Sequence, residues 1–144
     1  MPRVVREIMR RGAITCALDT SIREVAQIMV VNRIRYVVVT NESNAVEGII
    51  SARSILKAWG KDLDETKAGD ILLRHTVTTT PETSLAAAIK TMQRRRIQHL
   101  VIVSAHLPQQ HVVGILSASD IVRNMARSKT QETARQPALD GGKP

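Results

Sequence analysis

Two copies of one pattern occupy most of this chain, and that duplication constrains its fold more than any single segment does. Ile22, Val25, Ala26 and Met29 fall at i, i+3, i+4 and i+7, the apolar stripe of an amphipathic helix. Leu85, Ala88, Ile89 and Met92 repeat the stripe 63 positions later. The same offset relates Ile8 to Ile71, Ile14-Thr15 to Val77-Thr78 and Arg33-Ile34 to Arg96-Ile97. Gly48-Ile49-Ile50-Ser51-Ala52 then returns as Gly114-Ile115-Leu116-Ser117-Ala118, now 66 positions on. The second copy therefore carries three extra residues in the loop from Ser104 to His111, where insertions are best absorbed.

Each copy reads as helix, short strand, helix, strand, turn, strand, helix. Ser21 with Glu24 forms a capping-box pattern before the first stripe, and Ser84 is the matching N-cap, with Pro81 keeping Thr80 extended. Tyr36 to Thr40 and His99 to Val103 are continuous runs that suit strands buried on both faces. Asn41-Glu42-Ser43-Asn44 is a turn leading into Ala45 to Ser51, which predicts an antiparallel hairpin. Ala52 to Trp59 and Ala118 to Ala126 read as closing helices, the first stopped by Gly60. The repeats are set at 4–60 and 67–127, and 128–144, where apolar periodicity ends, is expected to be a disordered tail. A repeat of about 60 residues is marginal alone, so the two should pack sheet to sheet over a common core.

That core must be aliphatic: the 144 residues include no Phe, one Tyr (Tyr36) and one Trp (Trp59). Lys and Arg number 21 against 13 Asp and Glu, a net charge of +8 that favours a polyanion such as nucleic acid, a nucleotide phosphate or a membrane surface. Two aromatics cannot furnish stacking platforms for single-stranded nucleic acid, which argues against that partner. The basic residues are dispersed, with short clusters at Arg10-Arg11 and Arg94-Arg95-Arg96, the latter ending a predicted helix where cations complement its dipole. No apolar stretch approaches the roughly 20 residues of a membrane span, and no apolar signal region follows Met1-Pro2-Arg3. With Cys16 alone, an intrachain disulfide is excluded. A soluble, cytoplasmic protein that does not enter a membrane is expected.

From Val4 to Met125 the chain resembles a CBS-domain pair, or Bateman module. The first copy carries Val5-Arg6-Glu7-Ile8-Met9, Met29, Arg33-Ile34-Arg35-Tyr36-Val37-Val38-Val39 and Gly48-Ile49-Ile50-Ser51. The second carries Met92, Arg96-Ile97-Gln98-His99-Leu100-Val101-Ile102-Val103 and Gly114-Ile115-Leu116-Ser117-Ala118-Ser119-Asp120-Ile121. The resemblance implies an α+β fold of tandem β-α-β-β-α CBS repeats with pseudo-twofold symmetry. It implies an adenosine-containing ligand (AMP, ADP, ATP or S-adenosylmethionine) in clefts between the repeats, a regulatory role and a disc-like homodimer.

In such modules the segment Gly-h-h-Ser/Thr-x-x-Asp, with h apolar, holds the ligand. Its Asp accepts from the ribose hydroxyls and its hydroxyl faces ribose or phosphate at a helix N-terminus. The second copy keeps this as Ser117-Ala118-Ser119-Asp120; the first reads Ser51-Ala52-Arg53-Ser54, with Ser54 in place of the Asp. The resemblance therefore implies unequal clefts. The better one takes Ser117, Ser119 and Asp120 with Ile14, Thr15, Cys16, Arg35 and Tyr36 from the other repeat. Arg35 would meet phosphate, and Tyr36 would stack on the ligand or block it. The weaker takes Ser51 and Ser54 with Val77, Thr78, Gln98 and His99. Each residue also has a structural alternative: Ser117 and Asp120 as helix-cap residues, Arg35 on a solvated face, Cys16 as a small buried hydrophobe, His99 as a strand end.

His75, His99, His106 and His111 lack zinc-ligand spacing, no phosphate-cradling glycine loop occurs, and no base is set beside a Ser or Cys nucleophile. The chain is expected to be no enzyme and to require no cofactor. Two classes of function remain: a nucleotide-sensing module acting on another, unknown protein, or a structural dimer with degenerate clefts that meets a polyanion through its basic surface. The broad first stripe, with Val25, Ile28, Val30 and Val31, and the nearby Trp59 favour a homodimer through the helices.

Overall fold

The computed structural model describes residues 3–74, 76–104 and 111–127. The expected tail at 128–144, the centre of the inserted loop, His75 and His106 lie outside the described residues. A 3-10 turn (Val5–Glu7) leads into β1 (Arg10–Arg11), β2 (Thr15–Ala17), α1 (Ile22–Asn32), β3 (Tyr36–Thr40) and β4 (Val46–Ser51). A second 3-10 turn (Ser54–Ala58) precedes α2 (Ala68–Ile71), β5 (Thr78–Thr79), α3 (Leu85–Arg95), β6 (His99–Val103), β7 (Val112–Ser117) and α4 (Ala118–Arg127). The fold is α+β, with two small sheets ordered β2-β3-β4 and β1-β7-β6-β5.

Local sequence accounts for the main helices. Ser21 Oγ accepts from the Glu24 N–H at 3.2 Å and Ser84 Oγ from the Ala87 N–H at 3.0 Å, each satisfying an orphan donor of the first turn. Both helices end on an arginine in the left-handed region, Arg33 (φ 54°) and Arg96 (φ 56°), whose N–H groups reach back to close the last turn.

The closing element of the first repeat departs from the expectation. Ala52 to Trp59 does not form an α-helix; only Ser54–Ala58 coils, as a 3-10 turn. Ser51 N–H donates to Ser54 Oγ at 2.8 Å, Ser54 N–H to Ser51 Oγ at 3.0 Å, and the Ser54 hydroxyl to the Ser51 carbonyl at 3.0 Å. These bonds tighten the entry turn, and Gly60 (φ 87°) ends the segment before a longer helix can propagate. The second repeat, with no such early stop, closes on α4.

The apolar runs of β3 and β6 are explained by two-sided burial. Val37 and Val39 pack under α1 with Val25 and Met29, while Leu100 and Ile102 pack under α3 with Leu85 and Met92. The alternate residues Tyr36, Val38, Val101 and Val103 meet Ile115 in a third cluster. That cluster joins the repeats sheet to sheet, each buried Val or Ile contributing about 1.5–3 kcal/mol.

The repeats also exchange their leading segments. Leu85 N–H donates to Arg3 O at 2.8 Å and Val5 N–H to Thr83 O at 2.9 Å; 63 positions on, Ile22 N–H donates to Thr66 O at 2.9 Å and Ala68 N–H to Thr20 O at 2.7 Å. Thus β1 of the first repeat pairs antiparallel with β7 of the second, Arg10 opposite Ile115, and Leu73 bridges Ile49 in the equivalent place. Gly48 and Gly114 lie under these crossings. A Cβ on Gly48 would stand 2.5 Å from the Leu73 carbonyl oxygen, and one on Gly114 2.4 Å from that of Arg10. Close backbone approach therefore requires glycine at both positions.

Candidate functional site

Where β3, β4, β6 and β7 meet at the seam, strand register places Tyr36 opposite Ser51 and His99 opposite Ser117. The Tyr36 and His99 rings then touch across the pseudo-axis, with centroids 4.6 Å apart and planes at 55°. Burial raises the Tyr36 phenol pKa above its ordinary value, against the opposing effect of Arg10. Burial likewise lowers that of the His99 imidazole, with Arg35 acting in the same direction and Asp120 against it.

On one side of the rings, Ser117 and Asp120 cap α4 reciprocally. Asp120 N–H donates to Ser117 Oγ at 3.1 Å, and Ser117 N–H to Asp120 Oδ2 at 3.2 Å. The remaining oxygen accepts from Arg10 Nε at 3.2 Å and Arg123 Nη2 at 2.9 Å, leaving the Asp120 side chain 9% exposed. Burial alone would raise its pKa, but the bonds from Arg123, Ser117 and Arg10 outweigh it and hold the carboxyl below its usual value. The carboxylate expected to face ribose is thus engaged by two arginines of its own chain. Ser119 is exposed beside it, and Ile14 is half-buried, its carbonyl accepting from Val38 N–H at 3.2 Å.

Thr15 and Cys16 are placed elsewhere. They line a cavity of about 620 Å³ with Leu18, Asp19 and Thr40 to Ser43, at the far end of the first sheet. Cys16 is buried there, and desolvation pushes its thiol pKa up to about 11.

On the other side of the seam lies a cavity of about 530 Å³ between the repeats. Its apolar wall is Ile49, Leu73, Val77 and Ile97; Ser51, Gln98 and His99 supply polar groups, and Arg35, Arg53 and Arg96 supply positive charge. Arg35 therefore lines the cleft that holds Ser51, Val77, Gln98 and His99. Ser54 is buried beneath it, and Thr78 sits on β5 beside Val101. Among the described residues, none of the three arginines has an ion-pair partner.

Arg10, Arg53, Arg96 and Leu73 were not identified from sequence as site residues. The repeat offsets contain the signal: Arg10 is equivalent to Leu73, Arg53 to Ser119 and Ser54 to Asp120. The clefts thus differ by a coupled exchange, an Arg10–Asp120 ion pair in one and Leu73 with Ser54 in the other.

The sequence matches the CBS domain over residues 5–61 and again over 68–127, and the chain belongs to that family. It is 28% identical over 135 residues to the mitochondrial CBS domain-containing protein CBSX3 of Arabidopsis thaliana, covering 88% of this chain and 64% of that protein. Smaller shares of other curated relatives are spanned, 23% and 41% of the next two. The fold matches the CBS domain pair of protein MJ0100, solved with 5′-methylthioadenosine and S-adenosyl-L-methionine. That match has a TM-score of 0.76 and 24% identity, over 85% of this chain and 95% of the other. It also matches CBSX2 in complex with AMP, with a TM-score of 0.75 and 17% identity, over 86% of this chain and 96% of the other. No helix among the described residues is long and apolar enough to cross a membrane.

Proposed function

We propose that this chain is a regulatory ligand-binding module that senses an adenosine-containing nucleotide in the clefts between its two repeats, and acts by binding and not by catalysis. The observation that carries this reading is the 530 Å³ cavity at the seam, built by both repeats. Its volume falls within the roughly 300–1,000 Å³ of small-molecule sites, and it sets an apolar wall suited to a base opposite guanidinium groups suited to phosphate. The adenosine-type ligands of the MJ0100 and CBSX2 structures support the same ligand class. In the other cleft, Asp120 supplies the ribose-reading carboxylate, exchanging its bond from the half-exposed Arg10 for the sugar hydroxyls. Because ligand bridges the two repeats, occupancy changes how they sit against each other, and a regulated protein that contacts both repeats reads that change.

The test is a thermal-unfolding and calorimetric titration of the full chain with adenosine, AMP, ADP, ATP and S-adenosylmethionine. Ligand at 100 times its Kd stabilises by about 2.7 kcal/mol, a rise of several degrees. No response to any of the five at millimolar concentration overturns the proposal and leaves the structural-dimer alternative.

A further inference from the structure

Resting on the reading of the seam cavity as a nucleotide site, we infer that this cleft recognises its ligand through the phosphates and is indifferent to the ribose hydroxyls. A carboxylate is the group best suited to reading a ribose diol, since its two oxygens accept from adjacent hydroxyls. Among the cavity-lining residues there is no Asp or Glu. Ser54, equivalent in position to Asp120, cannot substitute for it. Its hydroxyl has one proton, which goes to the Ser51 carbonyl at 3.0 Å; its oxygen accepts from Ser51 N–H at 2.8 Å, and the residue is only 5% exposed. The hydroxyl is consumed in holding the turn.

The phosphate side is correspondingly enriched. Arg35 immediately precedes β3, Arg53 lies in the turn after β4, and Arg96 is the left-handed cap of α3, so three separate segments bring arginines to the lining of one cavity. With no carboxylate pairing them, their charge is available to an anion, and guanidinium forks bind phosphate bidentately. The chemistry selects a nucleoside di- or triphosphate over a monophosphate, and accepts ribo, deoxy and dideoxy sugars alike. The Asp120 cleft is the opposite case, with a carboxylate present.

Calorimetry of the full chain with ATP, 2′,3′-dideoxy-ATP and tripolyphosphate tests this, with Arg53→Gln and Arg96→Gln as exposed-site variants whose folding is checked by circular dichroism. Dideoxy-ATP is expected to bind one site per chain with an affinity within about twofold of ATP, to be displaced by tripolyphosphate, and to lose about tenfold in each variant. If ATP binds but dideoxy-ATP does not, the cleft reads ribose: the inference falls while the proposed function stands. If both bind and neither arginine variant weakens them, phosphate recognition lies elsewhere and the inference again falls. If neither nucleotide binds, the inference falls, and the proposed function falls with it only if adenosine, AMP, ADP and S-adenosylmethionine also give no response.

Discussion

Alanine at Gly114 would place a methyl group 2.4 Å from the Arg10 carbonyl oxygen and 3.2 Å from Met9 Sδ. The thioether can rotate away, but the carbonyl belongs to the β1–β7 crossing, which the Gly12 N–H bond to Val113 O at 2.9 Å also pins. Restoring ordinary van der Waals separation requires β1 to withdraw by about 1 Å. Overpacking of this kind costs about 1–3 kcal/mol, and at roughly 4 °C per kcal/mol for a chain of this size the melting temperature should fall by about 4–12 °C. Gly48→Ala should cost at least as much, since its Cβ meets the Leu73 carbonyl oxygen and Leu72 Cδ1, both at 2.5 Å. Gly69→Ala is the control: its nearest contact is Leu18 O at 3.3 Å, and the helical gain of alanine offsets it, so a change within about 1 kcal/mol is expected. Circular dichroism with heat and urea provides the measurement. The two crossing variants should also diverge in binding: Gly48→Ala displaces Leu73, a wall of the seam cavity, whereas Gly114→Ala displaces Arg10 from Asp120. If both fall within about 0.5 kcal/mol of the parent, the exchanged segments are not pinned as described and the reasoning fails.

The Asp120 carboxyl is held low in the folded state, so its contribution is complete above the unfolded value near ~3.9 and is lost as pH falls through the folded pKa. Asp120→Asn should therefore destabilise at pH 7, with a deficit that shrinks as pH falls below ~3.9 in urea titrations; a deficit that stays constant with pH refutes the assignment. His99 is also depressed, chiefly by burial, so stability is full above its unfolded value near ~6.5 and declines as pH falls from there toward the folded pKa. His99→Gln should flatten that slope below about pH 6.5, and an unchanged slope would locate the titrating group elsewhere. Native Cys16, with its thiol near 11, should react with a disulfide reagent at pH 8 at least about a hundredfold slower than the urea-unfolded chain, and comparable rates would show that it is accessible. Leu56 and Trp59 on one closing element, and Val122 and Met125 at the equivalent places on the other, are exposed, as are Val30 and Val31. Light scattering should give a dimer that Trp59→Asp dissociates, and a parent monomer at micromolar concentration refutes it.

Periodicity exposes the parts of this fold that depend on local chemistry. Ser21 and Ser84 before apolar stripes mark α1 and α3, and the unbroken runs at Val37–Val39 and Leu100–Val103 register strands covered on both sides. The short closing turn of the first repeat was hidden, because the same reciprocally bonded entry, Ser51 with Ser54 and Ser117 with Asp120, leads into a 3-10 turn in one repeat and into α4 in the other. The exchange of leading segments was hidden for a different reason. Arg3 to Val5 pairs with residues some 80 positions away, and nothing in a short window distinguishes that partner from its own repeat. Only the two glycines beneath the crossings, repeated 66 positions apart, recorded that another backbone passes over them.

The same limit shaped the reading of the site. The Ser54-for-Asp120 difference is visible in one line of sequence, and considered alone it makes the Asp120 cleft the stronger of the two. In three dimensions the difference is coupled to a second one. Arg10 reaches Asp120 because the first repeat's leader crosses β7, and Leu73 occupies the equivalent crossing where Ser54 has no charge to neutralise. A carboxylate as little exposed as that of Asp120 would be costly with no cation beside it, and an arginine at the Leu73 position would lack a carboxylate to meet. Each pairing is therefore self-consistent, and exchanging one member alone is predicted to be worse than exchanging both. Arg10→Leu and Asp120→Ser can be made singly and together to measure this. A double-mutant cycle should return a coupling of about 0.5–3 kcal/mol, with the double variant more stable than the sum of the single losses allows. Additive losses would mean that Arg10 merely lies across Asp120, and that the asymmetry of the clefts rests on the Asp-to-Ser change alone.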